Sequence, residues 1–151
     1  MPALADQIPA GTRLLLDTSV VLAYLSGDER ASPPAVQIMD AFLRSARNRG
    51  VISTVTVSEV LVRAHALGVA ASVWPILLDF EGLDIHPVDF LVAAEAARLR
   101  ADSHLRAPDA LILATGVLTT CRALVTVDKQ LAKVARKLVP EMGVCLLSDF
   151  A

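Results

Sequence analysis

Short apolar runs and longer amphipathic segments alternate along this chain from Arg13 to Leu147. "RLLL" (Arg13–Leu16) is a compact apolar run, the pattern of a short strand buried in a parallel sheet. Asp17 follows at once, and Thr18 or Ser19 then caps a predicted helix that runs to Leu25 and stops at Ser26-Gly27. Pro33 and Pro34 open a helix with Val36, Met39, Phe42 and Leu43 at helical spacing, closed by Gly50. "VIST" (Val51–Thr54) reads as a second strand. Thr56 and Glu59 match a capping box for a helix to Leu67, with Gly68 as its stop. A helix over Val69–Leu78, a strand at "LDIHPV" (Leu83–Val88) and a long helix from Asp89 to about Arg100 follow. Pro108 starts another helix, which runs to Leu118. "RALVTV" (Arg122–Val127) is a strand, Asp128–Leu138 a helix and "GVCLL" (Gly143–Leu147) the last strand. Strands alternating with helices predict one α/β domain, its mainly parallel central sheet covered by helices on both faces. Residues 1–12 read as an N-terminal tail and 13–150 as the domain.

Composition narrows the class. With 54% hydrophobic and 20% charged residues, a disordered chain is excluded. The uncharged stretch Ala110 to Cys121 is shorter than the roughly 18 residues a membrane span needs. "MPALADQIPAG" carries an acid and no Lys or Arg, unlike a signal peptide, so a cytoplasmic protein without a membrane partner is expected. Cys121 and Cys145 stand apart and read as buried structural thiols, and His65, His86 and His104 form no ligand pair. The net charge of −2 does not advertise a nucleic-acid binder, yet "RSARNRG" (Arg44–Gly50) and "KQLAKVARK" (Lys129–Lys137) are basic clusters able to face phosphates.

The acids carry the chemistry. Asp17 and Asp128 lie just past predicted strands, Asp109 follows a helix-opening proline, and Glu59 sits in a helical first turn. Strand C-termini and helix N-termini meet at one edge of an open α/β sheet, where such folds bind ligands. Four carboxylates converging there make an oxygen-rich site suited to Mg²⁺ or Mn²⁺. Each acid also has a simpler reading as a helix cap or as a charge favoured at a helix N-terminus.

Four phrases in order, "LLLDTSVVLAYL", "STVTVSEVLVRA", "LRAPDALILATG" and "LVTVDKQL", resemble the PIN domain, in particular the small VapC-type toxins of toxin–antitoxin pairs. The resemblance runs from Arg13 to about Phe150, and "PDALILATG" followed by "LVTVDK" is its most specific part. It places the family's acidic residues on Asp17, Glu59, Asp109 and Asp128, with Asp17 and Asp109 at the positions that bind metal most directly. Thr18, Ser19 and Thr126 fall on supporting hydroxyl positions, while Leu131 stands where many relatives have an aromatic residue.

The resemblance implies a divalent-metal-dependent ribonuclease that hydrolyses RNA phosphodiester bonds, with Mg²⁺ or Mn²⁺ as cofactor. It further implies an antitoxin partner that blocks the site and binds operator DNA, and a homodimer. Two alternatives within the family are a PIN nuclease with a housekeeping role in RNA processing and a catalytically silent PIN binding module. A phosphoacceptor receiver domain fits poorly, because the first strand supplies only Asp17 and Lys129 follows an acid.

Overall fold

The computed structural model describes residues 3–151. A single helical turn, Leu4–Gln7 (α1), leads into β1, Arg13–Leu16; Leu4 and the following Ile8 are buried. Asp17, not Thr18 or Ser19, is the N-cap of α2 (Thr18–Ser26), its carboxylate accepting from the Val20 amide. An Asp is as good a cap as a hydroxyl, and here it comes one residue earlier. Gly27 ends the helix at φ +72°, as its position predicts.

The next segment departs from the sequence expectation. Helix α3 covers Ser32–Val36, and Gln37–Leu43 continues as a π-helix. Its wider i→i+5 winding rotates the buried face, so Ile38, Met39, Phe42 and Leu43 enter the core while Val36 is left at the surface. Ala46, at φ 63°, turns the chain after this helix. Gly50 is not its stop but lies inside β2 (Arg49–Ser53), where a Cβ would come within 2.7 Å of the Leu43 side chain. The glycine lets the π-helix rest on the strand.

Ser53 caps α4 (Thr54–Ala66), its hydroxyl accepting from the Val55 amide. Thr56 therefore lies within the helix, buried, and the capping box with Glu59 does not form. The remaining elements follow the expected order: α5 (Ala70–Leu78), β3 (Leu83–His86), α6 (Phe90–Ala101), α7 (Ala107–Leu118), β4 (Ala123–Thr126), α8 (Lys129–Leu138) and β5 (Gly143–Leu146). A 3₁₀ turn, Leu147–Phe150, closes the chain.

All five strands are parallel, in the order β3-β2-β1-β4-β5. In central β1, Leu14 and Leu16 point into one core with α2, the π-helix and α4, while Leu15 points into a second core with α6, α7 and α8. Such two-faced burial explains why the strands are apolar runs rather than alternating patterns. In α7, a Cβ on Gly116 would come within 2.5 Å of Leu15, so this glycine lets the helix lie directly on β1. That close approach fixes where the start of α7, with Asp109, projects. Among the described residues no helix is long and apolar enough to cross a membrane.

Candidate active site

The site is built on the C-terminal ends of the middle strands. Leu16, the last residue of β1, pairs with Val125 of β4, so Asp17 and the β4–α8 turn stand side by side. Asp17 is only 5% exposed. Ser19 Oγ donates to its Oδ1 at 2.5 Å and Thr126 Oγ1 to its Oδ2 at 2.6 Å. Each hydroxyl is itself positioned from the β4–α8 turn: the Val127 amide donates to Ser19 Oγ at 3.0 Å, and the Asp128 amide to Thr126 Oγ1 at 2.9 Å. Both oxygens of Asp17 are thus oriented by hydroxyls whose own lone pairs are used. Ser19 and Thr126, the hydroxyl residues singled out in the sequence, both contact Asp17 directly.

Thr18 supports a different acid. Its hydroxyl lies 2.6 Å from Glu59 Oε1 and 3.1 Å from Thr56 Oγ1, which ties the start of α2 to α4. Glu59, freed from capping, is held by this contact. Asp128 does cap its helix, accepting from the Gln130 and Leu131 amides at 2.9 and 3.1 Å. Asp109 lies in the first turn of α7, where Arg106 Nη2 approaches its Oδ2 at 3.4 Å. The Arg106 side chain is 76% exposed, so that pair contributes little.

Electrostatics link the four acids. Burial raises the Asp17 carboxyl from 3.8 to about 6, against the lowering effect of its three hydrogen bonds, and the charge of Asp128 adds to the rise. Asp109 is also raised, first by burial and then by Asp128 and Glu59, with Arg106 opposing. Asp128 therefore acts on both Asp17 and Asp109, and Glu59 acts on Asp109, which links acids from four separate segments of the chain. Asp17 has no ion-pair partner among the described residues. An unpaired buried carboxylate among other acids fits a hard divalent cation, and the donors are all oxygen. Among the described residues, however, no three His, Cys, Asp or Glu side chains are grouped tightly enough to hold a metal ion.

Other candidates fall away from this edge. Cys121 and Cys145 are free and buried, and burial pushes the Cys145 thiol up to about 11, so neither is a ready nucleophile. The Arg44–Gly50 cluster is committed elsewhere. Arg44 pairs with Asp40 and covers the Phe80 ring, Arg47 stacks on Phe42 and donates to the Ile8 carbonyl, and Arg49 pairs with Asp84. Arg49 also pairs in register with Arg13 at the N-terminal edge of the sheet, opposite the acids. The arginines of this cluster are thus engaged in packing and ion pairs within the fold. Arg106 was not singled out by the sequence reading, although its i,i+3 spacing to Asp109 in "RAPDA" is the signal that would find it.

The fold has known counterparts. A toxin–antitoxin complex from Klebsiella pneumoniae superposes with a TM-score of 0.65 at 22% identity, over 90% of this chain and 98% of that one. FitAcB from Neisseria gonorrhoeae gives 0.66 at 23% identity, over 89% and 98%. VapBC2 from Rickettsia felis, bound to a DNA fragment from its promoter, gives 0.64 at 14% identity, over 89% and 98%. No curated protein sequence matches significantly. The PIN domain family model matches residues 14–137, which include Asp17, Thr18, Ser19, Glu59, Asp109, Thr126 and Asp128, and the chain belongs to the PIN domain family.

Proposed function

We propose that this protein is a divalent-metal-dependent endoribonuclease, the toxin of a VapBC-type toxin–antitoxin pair, which hydrolyses RNA phosphodiester bonds. The observation that carries the reading is Asp17: a buried carboxylate without a counter-charge, gripped by Ser19 and Thr126, with Asp128 acting on it and on Asp109. Asp17 and Asp109 would hold Mg²⁺ or Mn²⁺ most directly, with Glu59 and Asp128 acting on it directly or through water. When bound, such a cation lowers the pKa of its water and screens the charge that builds on the phosphate. Ser19 and Thr126 keep both Asp17 oxygens aimed, and Thr18 holds Glu59 in place. No cysteine or histidine nucleophile is required.

Two measurements test the reading. RNA cleavage should require Mg²⁺ or Mn²⁺ and stop in excess EDTA; undiminished cleavage with chelator overturns it. Induction of the chain alone in a bacterial host should arrest growth, and induction of Asp109→Asn should not. Normal growth with abundant active protein would instead support a housekeeping role.

The solved structures similar in fold are toxin–antitoxin assemblies, which supports a protein antitoxin as partner. We also read a homodimer from the apolar surface. Phe90, 84% exposed, and Leu91 stand together at the start of α6, and Trp74 and Leu78 are exposed on α5. Sedimentation at micromolar concentration should give twice the mass of the chain, and a monomer there would refute the dimer.

A further inference from the structure

A cleft of about 740 Å³ lies between the α6–α7 turn and α8, with Asp109 and Asp128 on its lining. Gln130, Leu131, Val134, Lys137 and Leu138 line it from successive turns of α8, so it follows the helix from its N-cap, Asp128, to its last turn. At about 1.5 Å of rise per residue, Asp128 and Lys137 stand about 14 Å apart along the helix. The acids of the site mark one end and a lysine the other. Leu105, Leu131 and Val134 give the cleft an apolar floor, and His104 and Arg106 line the wall across from α8. Asp102 lines it too.

We propose that this cleft seats the RNA segment flanking the scissile phosphate. Lys137 anchors a backbone phosphate, Val134 lies under a base, and Arg106 turns from Asp109 toward the strand. The inference rests on the ribonuclease reading and adds the path of the substrate. Three observations favour a nucleic-acid strand over a protein segment. A strand that places one phosphate at Asp109 and Asp128 enters this cleft directly, because both acids line it. Single strands combine anionic phosphates with flat apolar base faces, and the cleft pairs cationic Arg106 and Lys137 with an aliphatic floor. The other basic cluster is engaged on the opposite edge of the sheet.

The test is binding, read apart from cleavage. The full chain is titrated into a fluorescein-labelled single-stranded RNA of random sequence, at low salt with EDTA, and anisotropy is recorded. Lys137→Glu should weaken binding about tenfold and lower the slope of log affinity against log salt by about one. Arg106→Gln should weaken it as well. Lys133→Glu carries the same change of charge on α8 but does not line the cleft, and it should stay within about twofold of the parent. Photo-crosslinking of RNA containing 4-thiouridine should label the peptide 129–138. Equal losses in Lys137→Glu and Lys133→Glu, with label elsewhere, overturn the proposal while the ribonuclease reading stands. Unchanged RNA affinity in both Lys137→Glu and Arg106→Gln also overturns it and leaves the cleft to a protein segment. A parent that binds no RNA overturns the ribonuclease reading and this inference together.

Discussion

Asp109→Asn should lower RNA cleavage by about 10³-fold or more while shifting the unfolding free energy by no more than about 1 kcal/mol. The rate term follows from charge stabilisation of several kcal/mol by a held cation, at about 1.4 kcal/mol per decade. The stability term follows from what Asp109 does not do. The N-cap of α7 is Arg106, without a side-chain bond, and the one described partner of the Asp109 carboxylate is the exposed Arg106. What the fold loses is a favourable charge at a helix N-terminus, worth about 0.3–1 kcal/mol, and this is offset by relief from Asp128 and Glu59. Asp128→Asn should behave alike, because Asn caps a helix as well as Asp does. A kinetic assay beside a urea titration reads both effects. Cleavage at the parental rate by Asp109→Asn would remove it from the site.

Most of the fold was legible because each strand is a short apolar run bounded by a turn or a cap. Breakers such as Gly27 and Gly68, both at positive φ, marked true helix ends. The errors have a common origin, since a sequence displays capping residues without saying which one is used. Asp17, Thr18 and Ser19 all cap well, and the choice fell to Asp17 because its strand ends one residue before it. Ser53 and Thr56 offered the same ambiguity, and the strand's reach to Ser53 decided it. Gly50 looked like a stop because a glycine required by close packing reads the same as one required by a turn. The π-helix has no signature in its side chains that periodicity detects.

The acids were legible for a different reason. Topology alone sends strand ends and helix starts to one edge, so four acids after four such boundaries are expected on the same side of the sheet. The hydroxyl network was visible only in outline. Ser19 and Thr126 are 107 positions apart, and nothing local says that both hydroxyls face one carboxylate. The role of the Arg44–Gly50 cluster was not legible, because a run of arginines looks the same whether it meets phosphate or covers Phe42 and Phe80.

The pH dependence of folding should expose the Asp17 charge directly. With its carboxyl at about 6 in the folded chain and 3.8 when unfolded, the folded state binds the proton more tightly. Stability from this group is therefore greatest below about pH 3.8, falls as pH rises through the window to about 6, and is level above it. A shift of about two units corresponds to about 3 kcal/mol, an order-of-magnitude figure for a nearly buried group. Other acids titrate over the same range, so the quantity to measure is the difference between the parent and Asp17→Asn without metal. Losing one acceptor to Ser19 or Thr126 makes the variant less stable by an amount that does not change with pH. The difference between the two proteins should therefore shrink by about 2–3 kcal/mol between pH 4 and pH 7. Saturating Mn²⁺ at pH 7 should restore stability to the parent by binding linkage and leave the variant nearly unmoved. A difference that is flat with pH would mean that Asp17 carries no uncompensated charge, and the case for a cation at the end of β1 would fall with it.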